Sequence, residues 1–180
     1  MDGYIIACFD DPGLDAARSV ATGPVVGICE AAVYAASMVA GSFTVVTTLK
    51  SSVPVIEKVV RGYGREHFCR RVRAAEISVL SLEEEGSEAR LLIEAEIDRS
   101  VREDSAEAIV LGCAGMADFT RQLTDKFGLP VIDGVAAAVK MVEGLVSQGL
   151  KTSKVGAYCW PPEKAYTGEF VGDKPGEKPS

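Results

Sequence analysis

Two cysteines in matching surroundings are the residues whose type and spacing point to chemistry. Cys8 and Cys113 each end an apolar run, YIIAC and AIVLGC, and each run then breaks into a loop that contains glycine. A Pro-Val pair follows in both places, at Pro24 and at Pro130, and an Ala-rich helical run comes next. The pattern predicts one strand–Cys–helix–strand–helix unit that occurs twice in the chain.

The position of these thiols indicates what they could do. A residue at the carboxyl end of a parallel strand lies where α/β proteins bind ligands, and the N–H groups of the next helix favour an anion there. A pseudo-twofold repeat would place Cys8 and Cys113 on opposite sides of one cleft. Such a pair suits stereoinversion, in which one thiolate removes a proton and the other thiol returns one. The alternative is that both are buried apolar side chains, as many free cysteines are.

The elements that must position the cysteines alternate between strands and helices, which predicts an α/β protein with mainly parallel sheets. Strands are predicted at 4–9, 25–28, 42–48, 77–82, 108–112 and 131–132. Helices are predicted at 12–20, 30–40, 66–72, 87–102, 117–126 and 135–147. A further helix is expected to end at Gly62, with Ser51 and Ser52 as its cap.

The repeat also predicts the domain organisation. Residues 1–41 form a first lobe that a helix at 134–149 completes, and residues 42–133 form a second lobe. Residues 150–180 form a C-terminal extension whose last ten residues are expected to be a disordered tail. Two strand–helix units precede the Cys113 strand, whereas only residues 1–3 precede the Cys8 strand. We therefore expect the first lobe to lack its opening two strands.

Composition argues against several classes of protein. The chain is 47% apolar and 25% charged, as globular proteins are, and its net charge of −7 is unsuited to nucleic acid. The arginines at 61, 65, 70, 71 and 73 are interpreted as a solvated helix face. No apolar run approaches the roughly 20 residues of a membrane span, and no secretory leader is evident. We expect a cytoplasmic protein with free thiols.

Other residues that could carry chemistry are interpreted as structural. The five cysteines contain no CxxC pair and the chain has one histidine, so no metal site is expected. Asp10 and Asp11 could resemble a metal-binding pair, but adjacent side chains point apart and no third ligand is evident. Packing, surface or helix-capping roles are expected for Cys29, Cys69, Cys159, His67, Glu30 and Asp133.

Six stretches together resemble the hydantoin racemase group of the aspartate/glutamate racemase superfamily. They are YIIACFDDPGLDAAR, PVVGICEA, SFTVVTTL, VRAAEISVLSLE, LGCAGM and PVIDGVAAAVK, within residues 4–168. The resemblance implies two pseudo-symmetric α/β lobes and a chemistry that uses neither PLP nor a metal. It implies racemisation of 5-monosubstituted hydantoins, or of ureides such as allantoin, by a pair of cysteines. We expect the protein to bind this small-molecule substrate and to form a homo-oligomer.

Motif by motif, the resemblance assigns roles to residues of this chain. The acid/base pair corresponds to Cys8 and Cys113, and Thr47 and Thr48 match residues that line the substrate pocket. The amides that would hold the ring carbonyls, and so stabilise enolate charge, are those of Phe9, Asp10, Ala114 and Gly115. The family's opening strand and its Asn-Pro-Asn-type loop are absent from this sequence, which agrees with the incomplete first lobe.

Three alternatives remain open from the sequence. Sister chemistries such as arylmalonate decarboxylation or maleate isomerisation use the same fold, but the decarboxylases keep only one of the two cysteines. The aspartate and glutamate racemases carry Asn-Thr after the first cysteine, where this chain has Phe9 and Asp10. The third alternative is a truncated, inactive member of the family or an incomplete gene product.

Overall fold

Strands and helices alternate along the chain. The structure, a computed structural model, describes residues 1–82 and 88–162. The strands are β1 (Tyr4–Ile6), β2 (Val25–Gly27), β3 (Phe43–Thr47), β4 (Cys69–Ala74), β5 (Ala108–Leu111) and β6 (Val131–Asp133). The α-helices are α1 (Leu14–Val20), α2 (Ile28–Val39), α3 (Val53–Gly62), α4 (Glu88–Asp104), α5 (Thr120–Phe127) and α6 (Gly134–Ser147). Short 3₁₀ segments lie at Lys50–Ser52, Val79–Leu82, Ala114–Phe119 and Gly156–Tyr158.

Two parallel sheets confirm the predicted α/β class. β1 pairs with β2, while the second sheet has the strand order β4-β3-β5-β6. Every residue of β3 and β5 is buried, as expected for parallel strands covered on both faces. The order β1-α1-β2-α2 recurs as β5-α5-β6-α6, so the sequence repeat corresponds to a repeat of structure.

The helices that close the two repeats are exchanged between the sheets. α2 follows β2 but packs on β5 and β6, whereas α6 follows β6 and packs on β1 and β2. The two helices also pack against each other, and their first turns touch. A Cβ atom on Gly134 would lie 2.5 Å from the carbonyl oxygen of Ile28, so only glycine allows this approach. The two repeats are thereby joined at the N-termini of α2 and α6.

Alternating side chains of the four-stranded sheet point into two apolar clusters. Val45 and Val110 belong to the first cluster, with much of α2 and the two-stranded sheet. Val46 and Ile109 belong to the second cluster, with Ile93 of α4. Neighbouring strand residues face opposite sides of a sheet, so the four-stranded sheet separates the two clusters.

One region differs from the sequence prediction. The helix predicted at 66–72 and the strand predicted at 77–82 are both wrong, because β4 occupies Cys69–Ala74 and a 3₁₀ turn occupies Val79–Leu82. β4 is an edge strand, and the exposed side chains of Arg70 and Arg71 hide its strand pattern. Charged residues commonly mark such edges. The buried Ile77 donates its N–H to the carbonyl of Thr48 from a loop.

The remaining predicted elements are present, with bounds that agree within three residues. Ser51 and Ser52 lie in a 3₁₀ turn, and no side-chain hydrogen bond from Ser52 caps α3, so the predicted serine cap is wrong. The tail predicted at 171–180 lies outside the described residues. Among the helices that the structure describes, none has the length and apolar character to cross a membrane.

An ion pair fastens the edge strand β4 to α4 and corrects the interpretation of the arginine group. Arg73 is only 9% exposed and donates two hydrogen bonds to Asp104, at 2.6 Å from Nε and 2.7 Å from Nη2. These bonds hold the pKa of the Asp104 carboxyl below its usual value of 3.8. Arg73 is therefore a buried partner of α4 and does not belong to a solvated helix face.

Replacing Asp104 with Asn should destabilise the protein by about 3 kcal/mol at pH 7, because it removes the bidentate partner of a buried guanidinium, which Glu96 at 3.6 Å and the more exposed Glu103 replace only in part. Since the pKa of Asp104 is lowered by folding, its contribution is present above about pH 4 and is lost as the pH falls further. Urea unfolding at several pH values should show the gap closing in acid. Glu103→Gln is the control, because Glu103 pairs with the same arginine but is 58% exposed. A loss of similar size in that variant would contradict the prediction.

Candidate active site

The two cysteines occupy equivalent turns at the carboxyl ends of their strands. Cys8 follows β1 and is exposed, and its carbonyl accepts a hydrogen bond from the N–H of Asp11 at 3.0 Å. Cys113 follows β5 and is half-buried, and its carbonyl accepts from the N–H of Met116 at 3.3 Å. In both repeats, therefore, the cysteine begins a turn that the N–H three residues later closes.

Thr47 holds the residue that precedes Cys113. Its hydroxyl donates to the carbonyl of Gly112 at 3.1 Å, and the N–H of Gly112 donates to the carbonyl of Val46 at 2.8 Å. A Cβ atom on Gly112 would lie 2.9 Å from the Cβ of Thr47, so the ends of β3 and β5 are too close for a larger residue. Thr48 is buried beside it. The structure thus brings Thr47 to the start of the Cys113 turn, and no contact of Thr48 with that turn is recorded among the described residues.

The residues directly after the cysteines both contact the first apolar cluster. Phe9 is buried there, and the half-buried Ala114 packs against the same cluster. The 3₁₀ segment that begins at Ala114 also contacts α6, which itself packs on β1. Asp10 is half-buried and Gly115 is exposed. Both cysteine turns therefore border the apolar cluster to which α2 and α6 contribute.

Asp11 is a buried carboxylate in the Cys8 turn. Its two oxygens accept hydrogen bonds from the N–H of Cys29 at 3.1 Å, the N–H of Glu30 at 2.8 Å and the hydroxyl of Tyr63 at 2.6 Å. Burial raises the pKa of Asp11 above its usual 3.8, and these three donors oppose that rise. Burial and the nearby Asp11 carboxylate also raise the pKa of Tyr63. The Cys8 turn is therefore tied to the start of α2 and to the end of α3.

Sequence reasoning set Asp11 aside, although the repeat held a signal for it. In the second repeat, Asp133 caps α6 by accepting from the N–H groups of Val135 and Ala136, the second and third residues of that helix, at 3.0 and 2.9 Å. Gly27 is at the matching position before α2, and the carboxylate of Asp11 occupies the place of the missing cap. A Cβ atom on Gly27 would overlap that carboxylate. Comparing Gly27 with Asp133 could have indicated a cap from elsewhere.

The other cysteines and the histidine do not join this arrangement. Cys29 is fully buried in α2, and its burial raises the pKa of the thiol far above the usual range. Burial raises the pKa of Cys69 to about 12, and this residue lies in β4 where a helix was predicted. His67 has 88% of its side chain exposed, as predicted. Glu30 pairs with Arg18 at 2.6 Å and does not cap α2.

A groove of about 680 Å³ lies elsewhere, between α2, α6 and β2. Val25, Tyr34 and Met141 are among its lining residues, and the lining contains neither cysteine nor any other residue of the two cysteine turns. Within the described residues, no group of three potential metal ligands is present. The chemistry of the cysteine turns, and not the size of this groove, identifies the candidate active site.

Comparison with known proteins establishes the family. The model of the Asp/Glu/hydantoin racemase family matches residues 1–142, which is more than three quarters of the chain. The chain belongs to this family. The match spans both cysteine turns and the six strands described above, so it includes every element of the candidate site.

Individual members of the Asp/Glu/hydantoin racemase family give the same result. A hydantoin racemase of Rhizobium meliloti is 54% identical over 171 residues, which cover 95% of this chain and 71% of the relative. A hydantoin racemase of Pseudomonas sp. (strain NS671) is 46% identical, with 93% and 68% covered. The solved allantoin racemase of Klebsiella pneumoniae is 46% identical with a TM-score of 0.90, and the alignment covers 95% of this chain and 70% of that one.

More distant structures share the fold alone. The glutamate racemase of Francisella tularensis is 18% identical to this chain with a TM-score of 0.60. At the level of reaction class, the similarity to hydantoin and allantoin racemases makes this chain an isomerase of the racemase type. The fold and class expected from the sequence are thereby confirmed.

Proposed function

We propose that this chain is a cofactor-independent racemase of 5-monosubstituted hydantoins or related ureides, with Cys8 and Cys113 as its acid and base. The observation that carries the proposal is the equivalence of the two turns. Each cysteine follows a parallel strand, and each begins a turn closed by the N–H three residues later. The similarity to hydantoin and allantoin racemases supports the substrate class.

The proposed reaction moves one proton off and one proton onto the same carbon. The thiolate of one cysteine takes the proton from C5 of the ring and becomes a thiol, and the electrons of the broken bond form an enolate with the neighbouring carbonyl. The thiol of the other cysteine then gives its proton to the opposite face of C5 and becomes a thiolate. No atom is gained or lost, and the reverse reaction exchanges the roles of the two residues.

The remaining predicted residues are proposed to hold the ring. The backbone N–H groups of Phe9, Asp10, Ala114 and Gly115 would stabilise the charge that develops on the ring carbonyls. Thr47 and Thr48 would line the pocket beside the Cys113 turn. The hydrogen bond from Thr47 to Gly112 supports this role, because it fixes the wall of the pocket next to a reacting thiol.

One observation favours a second candidate, a member of the family that does not catalyse. Among the described residues β1 pairs only with β2, whereas its counterpart β5 pairs with a strand on each side. The exposure of Cys8 beside the unpaired edge of β1 is consistent with a pocket that is open on this side. A chain of this kind would bind a hydrophobic dye and associate through the open edge.

The deciding experiment follows the optical rotation of an enantiopure 5-monosubstituted hydantoin in the presence of the protein. We expect the rotation to decay to zero, and we expect iodoacetamide treatment of the protein to stop the decay. Allantoin, L-aspartate and L-glutamate are tested in parallel to distinguish the substrate classes. A Cys159→Ser protein is the control for alkylation at an exposed cysteine outside both turns.

The outcomes separate the two candidates. Decay that alkylation abolishes supports the two-thiol racemase. A protein that unfolds cooperatively but leaves all four substrates unchanged would overturn the proposed function and support the non-catalytic candidate. Racemisation of an amino acid alone would retain the reaction class and replace the substrate.

A further inference from the structure

The two cysteine turns are alike in backbone but are anchored in different ways. The third residue after Cys8 is Asp11, whose carboxylate takes three hydrogen bonds, and the third residue after Cys113 is Met116, which is fully buried in apolar surroundings. One turn is therefore fixed by directed polar contacts and the other by packing. The difference lies at matching positions of a repeat, so it distinguishes two otherwise equivalent reactive groups.

We infer that Asp11 and Tyr63 form a positioning pair for the Cys8 turn, an inference that rests on the proposed function. The backbone N–H of Asp11 closes the turn by donating to the carbonyl of Cys8, and the side chain of the same residue anchors the turn by accepting from Tyr63. The backbone of Asp11 has a positive φ of 45°, a conformation that a side chain other than Asp, Asn or Gly rarely adopts. The residue is thus held in one conformation by its contacts.

Two separate parts of the chain supply those three contacts. The N–H groups of Cys29 and Glu30 come from the first turn of α2, which packs on the sheet that carries Cys113. The hydroxyl of Tyr63 comes from the end of α3, which packs on β4. Asp11 therefore fixes the Cys8 turn relative to the elements around Cys113. The distance between two thiols that act on one carbon depends on such a link.

Gly27 leaves the space that the carboxylate of Asp11 occupies. A Cβ atom on Gly27 would overlap the carboxyl carbon and both oxygens of Asp11. The second repeat needs no such space, because Asp133 caps its own helix there. In the first repeat, therefore, the absence of a side chain at Gly27 lets the carboxylate of Asp11, from the Cys8 turn, cap α2 in place of a residue at the N-cap position.

The test uses Tyr63→Phe, which removes one hydroxyl and leaves the ring, with Tyr34→Phe as the matched control. The Tyr34 hydroxyl also lies nearby, but it makes only a 3.5 Å contact to the carbonyl of Tyr63. We expect Tyr63→Phe to lower kcat by about tenfold or more with KM within about twofold, because a misplaced reacting group slows chemistry more than binding. Asp11→Asn should show a similar loss, and the double variant should lose little more than either single variant.

A second readout does not depend on turnover. The rates at which iodoacetamide modifies Cys8 and Cys113 are compared by peptide mass spectrometry in the folded proteins, with Cys113 as the internal reference. We expect the ratio of the two rates to change by about threefold or more in Tyr63→Phe and Asp11→Asn, because thiol reactivity follows local surroundings, and to be unchanged in Tyr34→Phe.

An unchanged ratio in both folded variants would overturn the positioning pair. A simple loss of stability does not imitate the expected result, since it would lower the amount of active protein without altering the ratio in what remains folded. If the unaltered protein racemises no hydantoin or ureide, the proposed function fails by itself, and the alkylation ratio still decides whether Asp11 and Tyr63 position Cys8.

Discussion

Replacing either Cys8 or Cys113 with Ser is expected to reduce racemisation of a 5-monosubstituted hydantoin by about 10³-fold, because a hydroxyl at neutral pH is a far weaker base than a thiolate. Both losses should be of similar size, since each full inversion uses both residues. The measurement is the initial rate of loss of optical rotation at neutral pH, with a protein-free blank. The sulfur-to-oxygen change is small, and thermal unfolding should show both variants folded.

Deuterium exchange makes the prediction sharper. In D₂O, a protein that keeps one thiolate can still remove the C5 proton from the enantiomer that faces it and return a deuteron to the same side. Cys113→Ser should therefore exchange one enantiomer without inverting it, and Cys8→Ser should exchange the other. Cys159→Ser should behave as the unaltered protein does. Full racemisation by folded Cys113→Ser would refute the two-thiol mechanism.

Features with a strong local pattern could be predicted from the sequence. β3 is a β-branched run and β5 a continuous apolar run, every residue of both strands is buried, and the sequence predicts both within a residue at each end. The paired turns could be predicted because the spacing from the cysteine to the following Pro-Val pair is almost the same in the two repeats, from Cys8 to Pro24 and from Cys113 to Pro130. The assignment of these cysteines to the reaction, and of residues 1–41 and 42–133 to two lobes, remains a prediction.

Features set by tertiary contacts could not be predicted in this way. β4 carries exposed arginines because it lies at a sheet edge, and a sequence does not show which strand will be at the edge. The contact of Asp11 with Tyr63 joins residues 52 positions apart, and neither has a local pattern that points to the other. The cap that Asp11 provides for α2 is also long-range. From the sequence alone, Gly27 therefore indicates only that α2 has no side-chain cap at its own N-cap position.

The second large effect concerns the junction of the two repeats. Gly134→Ala is expected to destabilise the protein by about 3 kcal/mol, because its Cβ would lie 2.5 Å from the carbonyl oxygen of Ile28 and a backbone atom cannot rotate away. The first turns of α2 and α6 must then separate. Since both cysteine turns border the cluster that these two helices form, and Asp11 binds the first turn of α2, we also expect about a 10²-fold loss of racemisation in the folded fraction. Urea unfolding and optical rotation measure the two effects.

Gly144→Ala is the matched control, because Gly144 lies in the same helix and a Cβ there would meet no atom within 4 Å. This variant should gain about 0.5 to 1 kcal/mol, since alanine loses less conformational entropy than glycine in a helix. Equal stability of the two variants would show that α2 and α6 can part at little cost. A destabilised Gly134→Ala protein with full activity per folded molecule would show instead that the junction holds the fold together without setting the distance between the thiols.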